Sequence, residues 1–119
     1  MIKRIIISGK EFTIHSSALT SFKYKEFTGR ELLSDLKSLE KLQNIKNDKV
    51  LNVTDDLIGK LLSITYVMVQ EADKNQAANY EDFLRSLDTL FDDSDWMADV
   101  IETAINPISG GNKAIPPQK

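Results

Sequence analysis

The chain lacks cysteine altogether, and it contains one histidine and one tryptophan. The absence of cysteine excludes a disulfide scaffold, a thiol nucleophile and every zinc site that is built on thiolates. A zinc site needs three or four protein ligands in a matching geometry, and the single histidine, His15, supplies one of them. We therefore expect neither a metal site nor another cofactor.

Long apolar runs are also missing. The N-terminal run ends at Ile7, which is far too short for the core of a signal peptide. The longest apolar-rich segment, residues 57–69, contains Gly59 and Lys60 and falls below the roughly 20 residues that a membrane-spanning helix needs. With no cysteine to suggest an oxidising compartment, these features predict a soluble cytoplasmic protein that does not enter a membrane.

No charge of one sign dominates, since 15 basic residues face 18 acidic ones and the net charge is −3. The whole chain thus has no electrostatic attraction for a phosphate backbone. A helix-turn-helix over residues 17–42 would be the best case for nucleic-acid binding, with Lys37 and Lys41 on its second helix. Asp35 and Glu40 on the same helix would repel phosphate, so we expect no nucleic-acid partner.

At 119 residues, with 41% apolar and 28% charged residues, the chain has the size and composition of one globular domain. We expect this domain to cover residues 1–105. The segment 106–119 holds all three prolines and offers only Ile108 and Ile115 for burial. Such a segment cannot repay its ordering entropy, which predicts a flexible C-terminal tail.

The patterns of apolar residues predict a mainly α fold with a small N-terminal β-hairpin, an α+β class. Residues 2–14 alternate at the strand period around the turn at Ser8 and Gly9. Helices are predicted over residues 18–28, 30–44, 54–73, 80–91 and 94–105. The helix 54–73 is apolar around nearly its whole circumference, so we expect the other helices to pack around it.

The spacing of apolar residues predicts which faces of the first and second predicted helices are buried. The first predicted helix offers Leu19, Phe22 and Phe27 to the core. The next helix carries a continuous leucine stripe beside Leu33, consisting of Leu32, Leu36, Leu39 and Leu42. Its other faces are predicted to be solvated and carry Asp35, Lys37, Glu40 and Lys41.

The sequence predicts several helix caps. Ser17 is a suitable N-cap for the helix 18–28, and Gly29 suits the left-handed residue that ends it. Thr28 followed by Glu31 has the spacing of a capping box for the next helix. Thr54 and Asn79 are the predicted caps of the helices that follow them.

No catalytic motif stands out, and we expect a non-enzymatic protein. His15 lies near Ser16, Ser17 and Ser21, but no strand-nucleophile-helix elbow with flanking glycines accompanies them. The acidic run from Asp92 fails as a calcium loop: counted from Asp93, alanines occupy the sixth and twelfth positions, where glycine and glutamate are needed. The glycines form neither a P-loop nor a dinucleotide fingerprint.

Three segments of the chain share features with a known family. An aromatic-basic-aromatic run, Phe22-Lys23-Tyr24, leads to Gly29-Arg30-Glu31-Leu32-Leu33. The central apolar helix has Tyr66 in its middle and closes on Ala72-Asp73, and Tyr80-Glu81-Asp82-Phe83-Leu84 follows. Over roughly residues 10–105 the chain resembles the tail assembly chaperones of long-tailed (siphovirus-type) bacteriophages and prophages. It departs from them at Phe83, where many relatives carry tryptophan.

The resemblance implies a chaperone of virion morphogenesis in the cytoplasm of the host bacterium. Such a protein binds the tape measure protein, keeps it soluble and assists polymerisation of the tail tube, with the major tail tube protein and self-association as further contacts. In many relatives a translational frameshift adds a second domain. Tyr24 and Trp96 are the candidate partner-binding residues, provided that they are exposed. The alternative from another class is a small cytoplasmic regulator or inhibitor that acts through one protein partner.

Overall fold

The computed structural model describes residues 1–39, 55–91 and 95–108. The chain begins with an antiparallel hairpin of β1 (Ile2–Ile7) and β2 (Lys10–His15), in which Ile2 pairs with His15 and Ile7 with Lys10. Ser8 and Gly9 form the turn with φ of 57° and 76°, the two positive values that match a tight hairpin to the strand twist. The predicted hairpin is confirmed.

The inward face of the hairpin is apolar, with Ile5, Ile7, Phe12 and Ile14 buried. At the outer edge of β2, the side-chain amide of Gln76 acts as a substitute strand: it accepts from Thr13 N at 2.7 Å and donates to Thr13 O at 2.8 Å. The outer edge of β1 is different, because the backbone groups of Ile2, Arg4 and Ile6 that point away from β2 bond to no other described residue.

Five α-helices and one 3₁₀ turn follow in the described part of the chain. They are α1 (Ala18–Thr28), α2 (Leu32–Leu39), α3 (Asp55–Ala72), the 3₁₀ turn Lys74–Gln76, α4 (Tyr80–Arg85) and α5 (Asp95–Ile105). The protein is therefore mainly helical with an N-terminal two-stranded hairpin, the α+β class that the sequence predicts.

The helix α3 lies at the centre and contacts β2, α1, α2 and α5, while α5 also packs on β1. Leu61, Ile64 and Met68 of α3 are fully buried. Side chains from both strands and from every helix join them in one buried apolar cluster. An all-round apolar helix is stable in water only when other elements cover it, and here the hairpin and three helices do so.

Two helix boundaries differ from the predictions by two residues or more. The helix α2 begins at Leu32 rather than residue 30. The helix α4 ends at Arg85 rather than residue 91, because the backbone beyond it bonds elsewhere: the N–H groups of Asp88 and Thr89 donate to Ser8 Oγ at 2.8 and 3.1 Å. A hydroxyl in the hairpin turn thus replaces the carbonyls that would have continued the helix.

The cap predictions have mixed outcomes. Ser17 caps α1, and Gly29 ends it in the left-handed conformation with φ of 79°. Asn79 caps α4 by accepting from Asp82 N at 2.8 Å. The capping box predicted for Thr28 and Glu31 is wrong, since Thr28 Oγ1 donates to Tyr24 O and Glu31 pairs with Lys25. The capping box that does form is at the start of α1, between Ser17 and Thr20.

Other predictions lie outside the described residues. These are the end of the second predicted helix with Leu42, the loop after it, the Thr54 cap, the acidic residues 92–94 and the tail from residue 109. The first residues after α5 continue as a hydrogen-bonded turn, because Asn106 N donates to Glu102 O and Ile108 N to Ile105 O.

None of the helices in the described ranges combines the length and apolar character that crossing a membrane requires.

Candidate protein-binding face

The first helix turns an apolar side towards solvent. Its buried residues are Thr20 and Tyr24, whereas Leu19, Phe22 and Phe27 are 50%, 73% and 41% exposed. The prediction that these three apolar side chains pack in the core is therefore wrong for Leu19 and Phe22, and Phe27 is only partly covered. We call the side of α1 formed by Leu19, Phe22, Lys23, Glu26 and Phe27 the α1 face.

A buried carboxylate accounts for the inward position of Thr20. The side chain of Glu71, on α3, is 8% exposed. It accepts from Thr20 Oγ1 at 2.6 Å and from Ser17 Oγ at 2.5 Å. A buried charge is costly unless hydrogen bonds replace its water, so these two hydroxyls have to face α3. Their bonds set the rotation of α1 about its axis and leave Leu19 and Phe22 outside.

A second buried carboxylate holds Tyr24. Asp35 is 4% exposed, although the sequence predicts a solvated residue there. The Tyr24 hydroxyl donates to Asp35, and Arg30 donates through Nε to Asp35 at 2.8 Å and through Nη2 to the Tyr24 oxygen at 3.2 Å. Burial, followed by the bond to Asp35, raises the pKa of Tyr24, so the phenol stays protonated. This triad joins α1 to α2 across Gly29.

A groove of about 570 Å³ runs beside the α1 face, between α1 and α3. The α1 side contributes Leu19 and Phe27 as the apolar wall and Lys23 and Glu26 as a charged rim. The opposite wall comes from α3 and from the 3₁₀ turn that follows it, and consists of Tyr66, Val67, Gln70, Glu71 and Lys74. The groove therefore combines an apolar floor with rim charges of both signs.

Aromatic rings support the groove from below. Phe27 contacts Tyr66 and Tyr80 with ring centroids 5.3 and 5.1 Å apart. Tyr66 in turn lies 5.7 Å from Phe83, which packs edge-on against Phe12 of the hairpin at 5.4 Å. Such pairs contribute roughly 0.5–1.5 kcal/mol each beyond the area they bury. The groove wall is thus anchored in the core and is preformed.

The two partner-binding candidates from the sequence are not on the surface. Tyr24 is 0% exposed and Trp96 is 2% exposed. Tyr24 is held by Asp35 and Arg30, and Trp96 packs in the core and donates from Nε1 to Leu90 O at 2.9 Å. The condition of exposure fails for both, so they are core residues and the structure offers Phe22 in their place.

The structure does bring His15, Ser17 and Glu71 together. Ser17 Oγ donates to the Glu71 carboxylate, and His15 Nδ1 lies 3.7 Å from the same carboxylate. In a serine-nucleophile triad the histidine stands between the hydroxyl and the acid. Here the carboxylate binds the hydroxyl directly, which is a structural bond at the start of α1.

Among the residues that the structure describes, no group of three or more histidine and acidic side chains is arranged to hold a metal ion. No protein-family model, curated protein or solved structure matches the chain. The features that bear on function are therefore the α1 face and the sequence resemblance to the tail assembly chaperones.

Sequence reasoning missed the α1 face because it assigned apolar residues to the core by type. The signal that could have found it is polar: Ser17 and Thr20 are hydroxyl residues at the N-cap and in the first turn of α1, and a hydroxyl that faces inward needs a partner. That partner, Glu71, lies 51 residues further along the chain from Thr20. No local pattern links the two positions.

Proposed function

We propose that the protein is a non-enzymatic tail assembly chaperone of a long-tailed bacteriophage or prophage. In this proposal it binds the tape measure protein in the cytoplasm of the host bacterium, keeps that client soluble and assists polymerisation of the tail tube, with the major tail tube protein as a second partner. The observation that carries the proposal is the α1 face, where Leu19 and Phe22 are 50% and 73% exposed beside a preformed groove.

The chemistry of that face suits an amphipathic helix. Scattered apolar residues are normal on a protein surface, but apolar residues that cluster beside a groove are typical of an interaction site. Helix-binding grooves accept side chains at successive turns of the bound helix, with apolar contacts in the middle and polar contacts at the rim. The lining of the groove combines both kinds of side chain, with apolar Leu19, Phe27 and Val67 beside the charged Lys23 and Lys74.

The two buried carboxylates, Glu71 at the groove and Asp35 beyond it, already have structural bonds. Each carboxylate oxygen of Glu71 accepts a hydrogen bond, one from the hydroxyl of Ser17 and one from that of Thr20. Asp35 accepts from Tyr24 and Arg30. These contacts support a role in binding through apolar area over a role in acid-base chemistry.

The test is co-expression with the tape measure protein of the same phage or prophage. We expect the client to remain in the soluble fraction and to copurify with the chain. Replacement of Phe22 by serine should reduce copurification, because it removes exposed apolar area without touching the core. Ile6→Ser is the matched control, since Ile6 is 56% exposed on the outer face of the hairpin.

Both variants should melt within a few degrees of the unchanged protein, since surface substitutions usually change stability by no more than about 0.5 kcal/mol. If the tape measure protein aggregates equally with and without this chain, at matched expression and with any frameshifted form also supplied, the proposal is wrong. A gene position away from the tube and tape measure genes would then favour the regulator that acts through one partner.

A further inference from the structure

The α1 face has a feature that a client-binding surface does not require. The exposed ring of Phe22 lies next to the groove between α1 and α3, and this groove could receive such a ring. Phe22 is 73% exposed, and the groove lined by Leu19 and Phe27 begins one turn away on the same helix. We infer that, in the protein free of other partners, this face is covered by the same face of a second copy, in a two-fold symmetric dimer.

Symmetry makes one surface patch serve both sides of such an interface. In a two-fold dimer, residue i of one copy contacts residue j of the other, and residue j contacts residue i in return. Phe22 of each copy can therefore enter the groove of its partner at the same time. A patch that carries both the projection and the hollow is complementary to itself.

The charges on the rim follow the same rule. Lys23 and Glu26 lie close to one helical turn apart and are 3.8 Å from each other, with side chains 55% and 76% exposed. When two α1 faces meet across a two-fold axis, Lys23 of each copy can approach Glu26 of the other, which forms two opposite-charge pairs. A foreign partner would need its own matching charges, whereas a second copy supplies them by symmetry.

The other open surface is less suited to self-pairing. The outer edge of β1 has unpaired backbone groups among the described residues, and Ile2 and Ile6 are exposed there. Antiparallel pairing of two β1 strands centred on Arg4 would set two arginines side by side, and like charges in that position are destabilising. The charge pattern thus favours the α1 face.

The experiment exchanges the charges of the proposed pair. Sedimentation velocity and native mass spectrometry should show a dimer for the unchanged chain. Lys23→Glu and Glu26→Lys should each weaken the dimer by about tenfold or more, because each change turns two opposite-charge pairs into two like-charge pairs. An equimolar mixture of the two variants should form a one-to-one heterodimer, since every cross-pair is then opposite in charge.

The mixture excludes a bulk charge effect. Both variants keep a net negative charge, since each single reversal shifts the net charge of −3 by two. Overall attraction between them therefore cannot produce the heterodimer. Thermal unfolding of each variant should show that the fold is retained, because both side chains are mostly exposed.

Two apolar variants locate the interface independently. Phe22→Ser should give a monomer, and Ile6→Ser should remain a dimer. The inference is overturned if the unchanged chain is a monomer at the highest concentration it reaches, if the mixed charge variants do not associate, or if Ile6→Ser dissociates the dimer while Phe22→Ser does not. The inferred dimer goes beyond the proposed function and is tested with the isolated chain, in the absence of any client. Either proposal can therefore fail while the other stands.

Discussion

At the scale of single residues, two buried carboxylates determine which side chains can face inward. Asp35 is held by the Tyr24 hydroxyl and by Arg30, and Glu71 is held by Ser17 and Thr20. Each carboxylate would be costly to bury alone and becomes acceptable when donors surround it. The hydroxyl residues of α1 therefore take inward positions that apolar residues would otherwise fill.

The Tyr24 hydroxyl gives the first residue-scale prediction. Tyr24→Phe removes the donor to a buried carboxylate, and a lost hydrogen bond to a charged group typically costs about 1.5–3 kcal/mol. Denaturant unfolding at neutral pH measures this loss. Tyr80→Phe is the matched control. Within the described residues the Tyr80 hydroxyl contacts just Ser63 Oγ, at 3.4 Å, so we expect a change within about 0.5 kcal/mol.

We also expect the stability difference between the unchanged chain and Tyr24→Phe to depend on pH. The pKa of Tyr24 is raised in the fold, so folding favours the protonated phenol. The contribution of the Tyr24 hydroxyl to the free energy of unfolding is fully present below the pKa of tyrosine in the unfolded chain, about 10. As the pH rises above that pKa, this contribution falls by up to about 1.4 kcal/mol per pH unit. The difference in the free energy of unfolding between the unchanged chain and Tyr24→Phe should therefore become smaller from about pH 9 to about pH 11. Over this range the unfolded chain releases the Tyr24 proton, whereas the folded chain keeps it. A constant gap would contradict the proposed protonation.

At the scale of elements, α3 carries the architecture. Leu61 is fully buried on it, so Leu61→Ala should lower the free energy of unfolding by about 2–5 kcal/mol through lost transfer energy and a residual cavity. Leu33→Ala is the matched control on α2, since Leu33 is 51% exposed and its truncation should cost within about 0.5 kcal/mol. Equal costs at both positions would show that α3 is not the buried centre.

Elements whose burial follows their own periodicity could be predicted from the sequence. The hairpin alternates, α3 is apolar all round, and α5 places Trp96, Val100 and Ile101 inward, as its pattern indicates. The leucine stripe of α2 is buried at Leu32, Leu36 and Leu39.

Elements that depend on distant partners could not be predicted. The rotation of α1 is set by Glu71, and α4 stops early because Ser8, 80 residues before Asp88, captures the backbone. No periodicity carries such information, because it lies in contacts between segments far apart in sequence. The candidate binding face was missed for this reason: Leu19 and Phe22 are exposed as a consequence of bonds made by Ser17 and Thr20.

At the scale of the whole molecule, one apolar cluster connects the first strand to the last helix. Truncation after residue 91 removes α5 and should abolish cooperative thermal unfolding. The buried side chains of β1, β2, α2 and α3 that pack on α5 would lose their partners in the cluster. Removal of only residues 109–119 should leave the melting temperature within a few degrees, since this segment is rich in proline and glycine and has one apolar residue larger than alanine to bury. Calorimetry distinguishes the two results.

The packing of α5 on β1 has a consequence for the order of folding during synthesis. The ribosome makes β1 first and α5 last among the described elements, yet Lys3 pairs with Asp99 and Glu102 and the two elements pack together. Closing so large a loop costs entropy that is recovered only when its contacts form. Ile5 and Ile7 on β1 therefore stay partly uncovered during synthesis until α5 has left the ribosome. Only then can the hairpin complete its native packing.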